Sequence, residues 1–232
     1  MTAARASHLR LVVNEPVVPA VRQPKLRFRP VVKLADGSAY GMHAETDIAF
    51  EDTLLPRHFV EQTLPSAGGW LGDIIERCGK LASDTDTRMR PISVTAPMAA
   101  LADRDAPMAA EAGVLRAGLL AQEIRIDFPD ASVVALEDLA LDRIDAFRRR
   151  GFRVGLDARK SWRTPMGARA RMTFEAVRLE PARMEALDIP MSRMEVAAAD
   201  GVAIIAENIR WRDAEKIAQF GILYALAPRA DS

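Results

Sequence analysis

Extended segments and helical patterns alternate along the chain, and the chain opens with two extended segments. Residues 26–34 and 39–45 mix apolar with polar side chains, and Asp36-Gly37 lies between them. Asp-Gly between two such segments is a strong local signal for a β-hairpin. Residues 63–81 form a predicted helix, because apolar side chains recur there at helical spacing. These side chains are Trp70, Leu71, Ile74, Ile75 and Cys78.

After this helix, strands and helices of similar length continue to the end of the chain. A strand is predicted at residues 91–95, followed by a helix-rich region, 99–120, that is interrupted near Pro107. Further strands are predicted at 123–128, 152–157, 176–179, 203–206 and 222–225, and helices at 133–150 and 212–220. Strands that alternate with helices in this way form βα units around a mostly parallel sheet. The pattern therefore predicts an α/β fold, and its length favours a small (β/α) TIM-like barrel.

Composition and charge restrict the function classes. The 232 residues are 49% hydrophobic and 28% charged, and 32 basic residues balance 32 acidic ones. A chain without net charge lacks the overall basic field that favours nucleic acid, so no nucleic-acid partner is expected. No apolar run approaches the roughly 20 residues of a membrane-spanning helix, so no membrane span is expected. The single cysteine, Cys78, excludes an intrachain disulfide and favours reduced, cytoplasmic surroundings.

The chain divides into a tail and one domain. Residues 1–24 contain scattered arginines and three prolines but no sustained period, which predicts a flexible N-terminal tail. A partner-binding arm is the alternative interpretation of this tail. Residues 25–232 are the predicted barrel domain.

Five segments, in the correct order, resemble the EAL domain, a barrel family whose active members hydrolyse the bacterial messenger cyclic di-GMP. Residues 28–37 (FRPVVKLADG) are similar to the family's opening F-Q-P-I-V-D-L-x-x-G, and 92–95 (ISVT) to I-S-V-N. Residues 151–157 (GFRVGLD) resemble G-V-R-I-A-L-D-D, 174–180 (FEAVRLE) resemble F-D-x-L-K-I-D, and 204–209 (IIAENI) resemble V-I-A-E-G-V. The resemblance implies a barrel of EAL type whose first strand is antiparallel to its neighbours.

The residues that carry the family's chemistry are mostly replaced. EAL enzymes hold two divalent cations with carboxylates and one Asn, and the cations activate a water that attacks a phosphodiester. The E-A-L tripeptide falls on residues 43–45, so His43 replaces a metal-binding Glu. The other vestigial positions are Thr95 for Asn, Asp127 for Glu, Asp157-Ala158 for the paired aspartates, Arg178 for Lys, and the retained Glu207. From this comparison we expect no catalytic residues, no bound metal and no cofactor.

Three residues are candidate ligand contacts at the former active-site mouth: Arg159, Trp162 and Arg178. Arginines at phosphates and aromatic rings at guanines are the contacts that a cyclic dinucleotide would need. For Trp162 two interpretations stay open: the ring packs within its own loop, or it recognises a ligand or partner. The run 148–150 (RRR) has two interpretations. Its positive charge either complements the C-terminus of a helix or binds an anion or a partner. His43 is expected to be a hydrogen-bonded polar residue, and Cys78 a buried small hydrophobe.

Two function classes follow from the resemblance. The first is a catalytically inactive EAL-like domain that acts as a protein-interaction or regulatory module in bacterial signalling, by analogy in motility, attachment or the cell cycle. The alternative is a sensor that binds cyclic di-GMP without hydrolysing it. Activity on another substrate has no motif in its favour.

Overall fold

Eight strands close into a barrel, in chain order, in the computed structural model, which describes residues 24–50, 66–183 and 191–227. The strands are β1 (Leu26–Lys33), β2 (Ala39–Thr46), β3 (Ile92–Thr95), β4 (Ile124–Pro129), β5 (Arg153–Asp157), β6 (Ala176–Leu179), β7 (Ala203–Ala206) and β8 (Tyr224–Leu226). Strand β1 is antiparallel to both β2 and β8, and all other neighbours are parallel. The predicted barrel and its antiparallel first strand are confirmed.

Helices follow most strands and cover the barrel from outside. They are α1 (Ala67–Asp84), α2 (Ala106–Ala117), α3 (Asp130–Leu136), α4 (Asp138–Arg148), α5 (Ala168–Thr173), α6 (Met191–Ala199) and α7 (Ala214–Ala218). Short 3₁₀ turns lie at Met98–Leu101, Ala121–Glu123, Pro181–Arg183 and Trp211–Asp213. Within the described ranges, no helix has both the length and the apolar character needed to cross a membrane.

Local chemistry explains where the elements differ from the sequence prediction. Helix α1 begins at Ala67 because the Ser66 hydroxyl accepts a hydrogen bond from the Gly69 amide at 3.0 Å, as an N-cap does. The single helix predicted at 133–150 is two helices, since Glu137 between them has φ of 47°. The helix-rich region 99–120 is interrupted just before Pro107, as predicted, between the turn at Met98–Leu101 and helix α2. Pro107 itself lies in the first turn of α2, where its missing N–H costs nothing.

The β1–β2 hairpin forms at the predicted turn. The Ser38 amide donates to the Asp36 carboxylate at 2.8 Å, and Gly37 adopts a left-handed φ of 70° that favours glycine. Of the predicted tail, residues 1–23 lie outside the described part of the chain, so the tail stays a prediction.

The core has two parts, one between the barrel and its helices and one inside the barrel. Cys78 is buried in the outer part as predicted, and burial raises the pKa of its thiol to about 12. Inside the barrel, the amino ends of the parallel strands are filled by a small apolar cluster: Val31, Ala176, Ala203, Ile205 and Leu226. The rings of Tyr40 and Tyr224 pack against this cluster with centroids 4.2 Å apart. The interior toward the carboxyl ends is instead polar.

Helices α1 and α2 cross at backbone contact. A Cβ on Gly72 would lie 2.4 Å from the Ala109 carbonyl oxygen, and one on Gly113 would lie 2.3 Å from the Gly72 carbonyl oxygen. Backbone atoms cannot move aside as a flexible side chain can, so glycine is required at both positions. This contact fixes α1 against α2, and α1 also packs on β1 and on β3, whose carboxyl end carries Thr95.

We expect Gly72→Ala to destabilise the protein by about 1–3 kcal/mol, the usual cost of overpacking a close contact. Gly69→Ala in the same helix is the matched control, since only the Ser66 hydroxyl lies near its new methyl group, at 3.3 Å. The control should change the free energy of unfolding by less than about 1 kcal/mol, because alanine favours helix. Urea unfolding of both variants measures the difference, and equal stability would refute the crossing contact.

Candidate functional site

The carboxyl ends of the strands bring five of the predicted residues together around one guanidinium group. Arg178 on β6 is only 1% exposed, and its Nη2 donates to Thr95 Oγ1 at 2.6 Å and to Asp157 Oδ2 at 2.9 Å. Its Nη1 lies against the His43 ring and 3.5 Å from Glu207 Oε1. The side chain of Arg178 therefore links residues from β2, β3, β5 and the end of β7.

A second cation, Arg159, completes the cluster from the loop after β5. Its Nε and Nη2 bind the two oxygens of Asp157 at 2.8 and 2.7 Å, and its Nη1 lies 3.2 Å from Glu207 Oε2. Burial works to raise the pKa of Asp157, but Arg178 and Arg159 outweigh it and hold that pKa well below its usual range. Two guanidinium cations thus face two carboxylates, and the cluster has no net charge.

His43 is the neutral member of this cluster. Burial, then the charge of Arg178, lowers the pKa of His43 well below its ordinary value. Its Nδ1 lies 3.0 Å from Ser93 Oγ, which itself donates to the Met42 carbonyl at 3.2 Å. Arg178 has no acceptor, so the ring must offer a deprotonated nitrogen to it. This agrees with the expectation of a hydrogen-bonded polar residue.

Asp127, one of the vestigial positions, pairs with Arg125 and not with the Arg178 cluster. Its side chain is 1% exposed inside the barrel, where its two oxygens accept from Arg125 Nε and Nη2 at 2.8 and 3.3 Å. The pair has room because residue 155 is glycine, since a Cβ there would lie 2.3 Å from Asp127 Oδ1. Arg125 was missed by the sequence analysis, although two residues of spacing on a strand put both side chains on one face.

Trp162, for which loop packing and recognition were both open interpretations, is buried. Its side chain is 3% exposed and belongs to the hydrophobic core, which favours the packing interpretation. The loop that carries Trp162 is held by Asp130, the buried first residue of α3. Asp130 accepts from the Ser161 hydroxyl at 2.7 Å and from the amides of Arg163 and Thr164 at 2.9 and 2.8 Å.

Asp130 is a second residue whose role the sequence analysis missed. The available signal was its position, a carboxylate directly after a strand at the edge where the mouth lies. Ala158, in the same region, is fully buried and offers no oxygen ligand.

The residues at the mouth do not fit the divalent cations that the family resemblance implies. Such cations need oxygen ligands that are free to bind them. Here the oxygens of Asp157 and Glu207 face guanidinium groups, and those of Asp127 face Arg125. Within residues 24–50, 66–183 and 191–227, no three His, Cys, Asp or Glu side chains are arranged to hold a metal ion.

A cavity of about 260 Å³ lies beside this cluster, between the ends of β2 and β3 and helix α1. His43, Thr95 and Arg159 line its inner side, and Phe50 and Trp70 line the side toward α1. Arg159 is the more accessible of the two cluster arginines, with a third of its side chain exposed. Any small ligand at the mouth would have to compete with Asp157 and Glu207 for this guanidinium.

Comparison with known proteins agrees with this architecture. No protein-family model and no curated protein matches the chain. Among solved structures, the PaMucR phosphodiesterase in complex with c-di-GMP superposes with a TM-score of 0.67 at 14% identity, over 88% of this chain and 89% of that one. The EAL domain of Mycobacterium smegmatis DcpA gives 0.66 at 13% identity, over 88% and 90%.

The Klebsiella pneumoniae BlrP1 complex with manganese and c-di-GMP gives a TM-score of 0.68 at 14% identity, over 90% of this chain and 55% of that one. The chain therefore spans about half of the BlrP1 chain. At these identities the likeness defines the fold, which is that of EAL domains, as the five sequence segments predicted.

We expect Arg178→Met to destabilise the protein by about 3–5 kcal/mol near pH 7, because Asp157 and Glu207 would lose a buried counter-ion. In the wild type the low pKa of Asp157 contributes stability above its ordinary pKa that is lost only in stronger acid. In the variant the pKa of Asp157 should lie above its value in the wild type, because one of the two guanidinium groups that lower it is gone. The variant therefore loses less stability than the wild type does as pH falls toward about 4. The difference in the free energy of unfolding between the wild type and Arg178→Met should therefore become smaller as the pH is lowered.

Urea unfolding at neutral and mildly acidic pH measures this change. Arg150→Met is the matched control, since its partner Glu111 is half-exposed and the pair lies on the surface. The control should cost less than about 1 kcal/mol at both pH values. A deficit for Arg178→Met that stays constant with pH would contradict the counter-ion role.

Proposed function

We propose that this chain is a catalytically inactive protein of EAL fold that acts in bacterial signalling by binding another protein. One observation carries the proposal: the Arg178 guanidinium lies among the side chains of His43, Thr95, Asp157 and Glu207 at hydrogen-bond or ion-pair distance. Arg178 and Arg159, two cations that belong to the chain, pair with the carboxylates that remain at the mouth. The carboxylates that remain are neutralised from within.

The chemistry of phosphodiester hydrolysis supports the same conclusion. A two-metal centre activates the attacking water and stabilises the leaving oxygen. Arg178 replaces a lysine of the family pattern and does not release a proton near neutral pH. His43 is held neutral and buried, and Ala158 replaces an aspartate. No described residue at the mouth is therefore placed to activate a water.

The signalling role rests on the fold and on its relatives. PaMucR and BlrP1 are described as complexes with c-di-GMP, and PaMucR as a phosphodiesterase. A chain that keeps this fold without the cation ligands retains surfaces for contact with other proteins. Motility, attachment and the cell cycle are the processes proposed by analogy.

The cyclic di-GMP sensor is the second candidate, and one observation bears on it. Arg159 is a third exposed and lines the cavity at the mouth together with Arg27, so it is the cluster arginine that a phosphate could reach. Because Arg159 already binds Asp157 and Glu207, a nucleotide would have to replace existing ion pairs. Binding of useful affinity is therefore not expected.

Purified protein with excess magnesium or manganese should give no cyclic di-GMP hydrolysis above a metal-only control. Ala158→Asp should remain inactive, because Arg178 and Arg159 still neutralise the neighbouring carboxylates. An active EAL enzyme assayed in parallel verifies substrate and metal. Hydrolysis by the wild type that disappears on Asp157→Ala would refute the proposal.

Calorimetric titration of the full chain with cyclic di-GMP should show binding that is absent or weaker than about 10 µM, or roughly −7 kcal/mol. Arg159 is already paired with Asp157 and Glu207, and exposed arginines such as Arg27 contribute little each in water. Sub-micromolar binding that is lost on Arg159→Gln would support the sensor instead. Arg159 is the preferred position for this test, because replacing the fully buried Arg178 also affects folding.

The protein-binding part of the proposal requires a partner whose capture does not depend on the mouth. Affinity capture from the native bacterium should retain the same partner with the wild type and with Arg159→Gln. Added cyclic di-GMP should not release it. Loss of the partner on nucleotide addition would again favour the sensor.

A further inference from the structure

A groove with an excess of positive charge lies at the opposite end of the barrel from the Arg178 cluster. It is a cavity of about 460 Å³ at the amino ends of β5, β6 and β7. We call it the basal groove, and its walls include Arg148, Arg153, Arg171, Met172, Glu175 and Asp200. Three guanidinium groups thus face one space together with two carboxylates.

The arginines of the basal groove are only partly used by the protein itself. Arg153 donates from Nε to Glu175 at 2.7 Å, and Arg171 donates from Nε to Asp200 and from Nη1 to the Met166 carbonyl. Within the described residues, the two terminal nitrogens of Arg153 and the Nη2 of Arg171 make no hydrogen bond. A guanidinium offers five N–H donors in a planar fork that matches a carboxylate.

Arg148 adds positive charge at the edge of the groove. It ends helix α4, and its Nη2 donates to the Met172 carbonyl at 3.2 Å while Nη1 binds Asp145. The two interpretations of the arginine run 148–150 therefore apply to different residues of the run. Arg148 faces the groove, whereas Arg150 binds Glu111 on α2.

Met172 gives the groove an apolar contact as well. Its side chain is 78% exposed, the most exposed large hydrophobic residue in the described part of the chain. A single exposed apolar side chain is ordinary on a protein surface. This one, however, lies in the wall beside three arginines, and methionine adapts its shape to apolar groups of a partner.

We propose that the basal groove binds an acidic segment of a partner protein. Carboxylates of that segment pair with the unused N–H groups of Arg153 and Arg171, and an apolar side chain of the segment covers Met172. Recognition of acidic segments by arginine clusters is a recurrent binding mode. The inference rests on the proposed function, since it names the chemistry of the partner, and it uses a surface remote from the Arg178 cluster.

The test uses the full chain and a fluorescein-labelled, glutamate-rich peptide with a central leucine, followed by fluorescence anisotropy. The same peptide with glutamine for glutamate is the control ligand. Arg153→Gln and Arg171→Gln should each weaken binding of the acidic peptide about fivefold, in keeping with partly exposed ion pairs. Added salt should weaken binding by the wild type, because salt screens exposed charges.

Two control variants separate the groove from general charge effects. Arg88→Gln removes an arginine that is 89% exposed and pairs with Asp86, which is exposed as well, so it should change affinity less than about twofold. Arg153→Lys keeps the charge but not the planar fork and should recover only part of the affinity. Thermal melting verifies that each variant is folded.

Three outcomes would overturn the inference. The wild type fails to bind the acidic peptide, or it binds the glutamine peptide equally well, or the arginine variants bind as the wild type does. Displacement of the peptide by inorganic phosphate at matched ionic strength would also overturn it, in favour of a site for small oxyanions. None of these outcomes bears on catalysis at the other end of the barrel, which the hydrolysis and nucleotide assays decide separately.

Discussion

The guanidinium group of Arg178, enclosed by the barrel, determines how the polar side chains at the carboxyl ends of the strands are arranged. An isolated charge in this position would be costly, because burial removes the water that stabilises it. Arg178 is tolerated there because Asp157 and Glu207 supply opposite charge and Thr95 and His43 accept hydrogen bonds. Each of these partners comes from a different strand or strand end, so the arginine also ties the barrel across its opening.

A second buried ion pair lies nearer the middle of the barrel. Arg125 and Asp127 neutralise each other on one strand, and Gly155 leaves the space that the pair occupies. Below them the interior becomes apolar and ends at the rings of Tyr40 and Tyr224, which are tilted against each other by 39°. The barrel is thus filled by two neutral ion-pair layers above a hydrophobic base. Removing one partner from either layer would leave the other partner as a buried charge without a counter-ion.

The fold could be predicted from the sequence because its signals are local. The Asp36-Gly37 turn, the apolar face of α1 and the order of the five EAL-like segments need no knowledge of distant contacts. Element boundaries were less accessible, since the break at Glu137 depends on a backbone conformation that no periodicity reveals.

The site could be predicted only in part. Its members were found because the family pattern names their positions, but the pairing of Arg178 with carboxylates from other strands is a long-range contact that one sequence does not contain. The role of Trp162 stayed open for a related reason. A large aromatic residue in a polar loop has the composition of a recognition loop, but the contacts of Asp130 with the loop amides depend on the fold. Arg125 escaped notice because the family pattern assigns no role to its position.

A cation that is part of the polypeptide behaves differently from one borrowed from solution. Arg178 cannot be diluted, chelated or exchanged, and a guanidinium stays charged across the whole physiological pH range. On the function proposed above, the shape of the barrel mouth does not depend on how much magnesium or manganese is present. A metal-dependent enzyme would gain or lose its centre with the ion supply, whereas the proposed module would keep one arrangement of side chains.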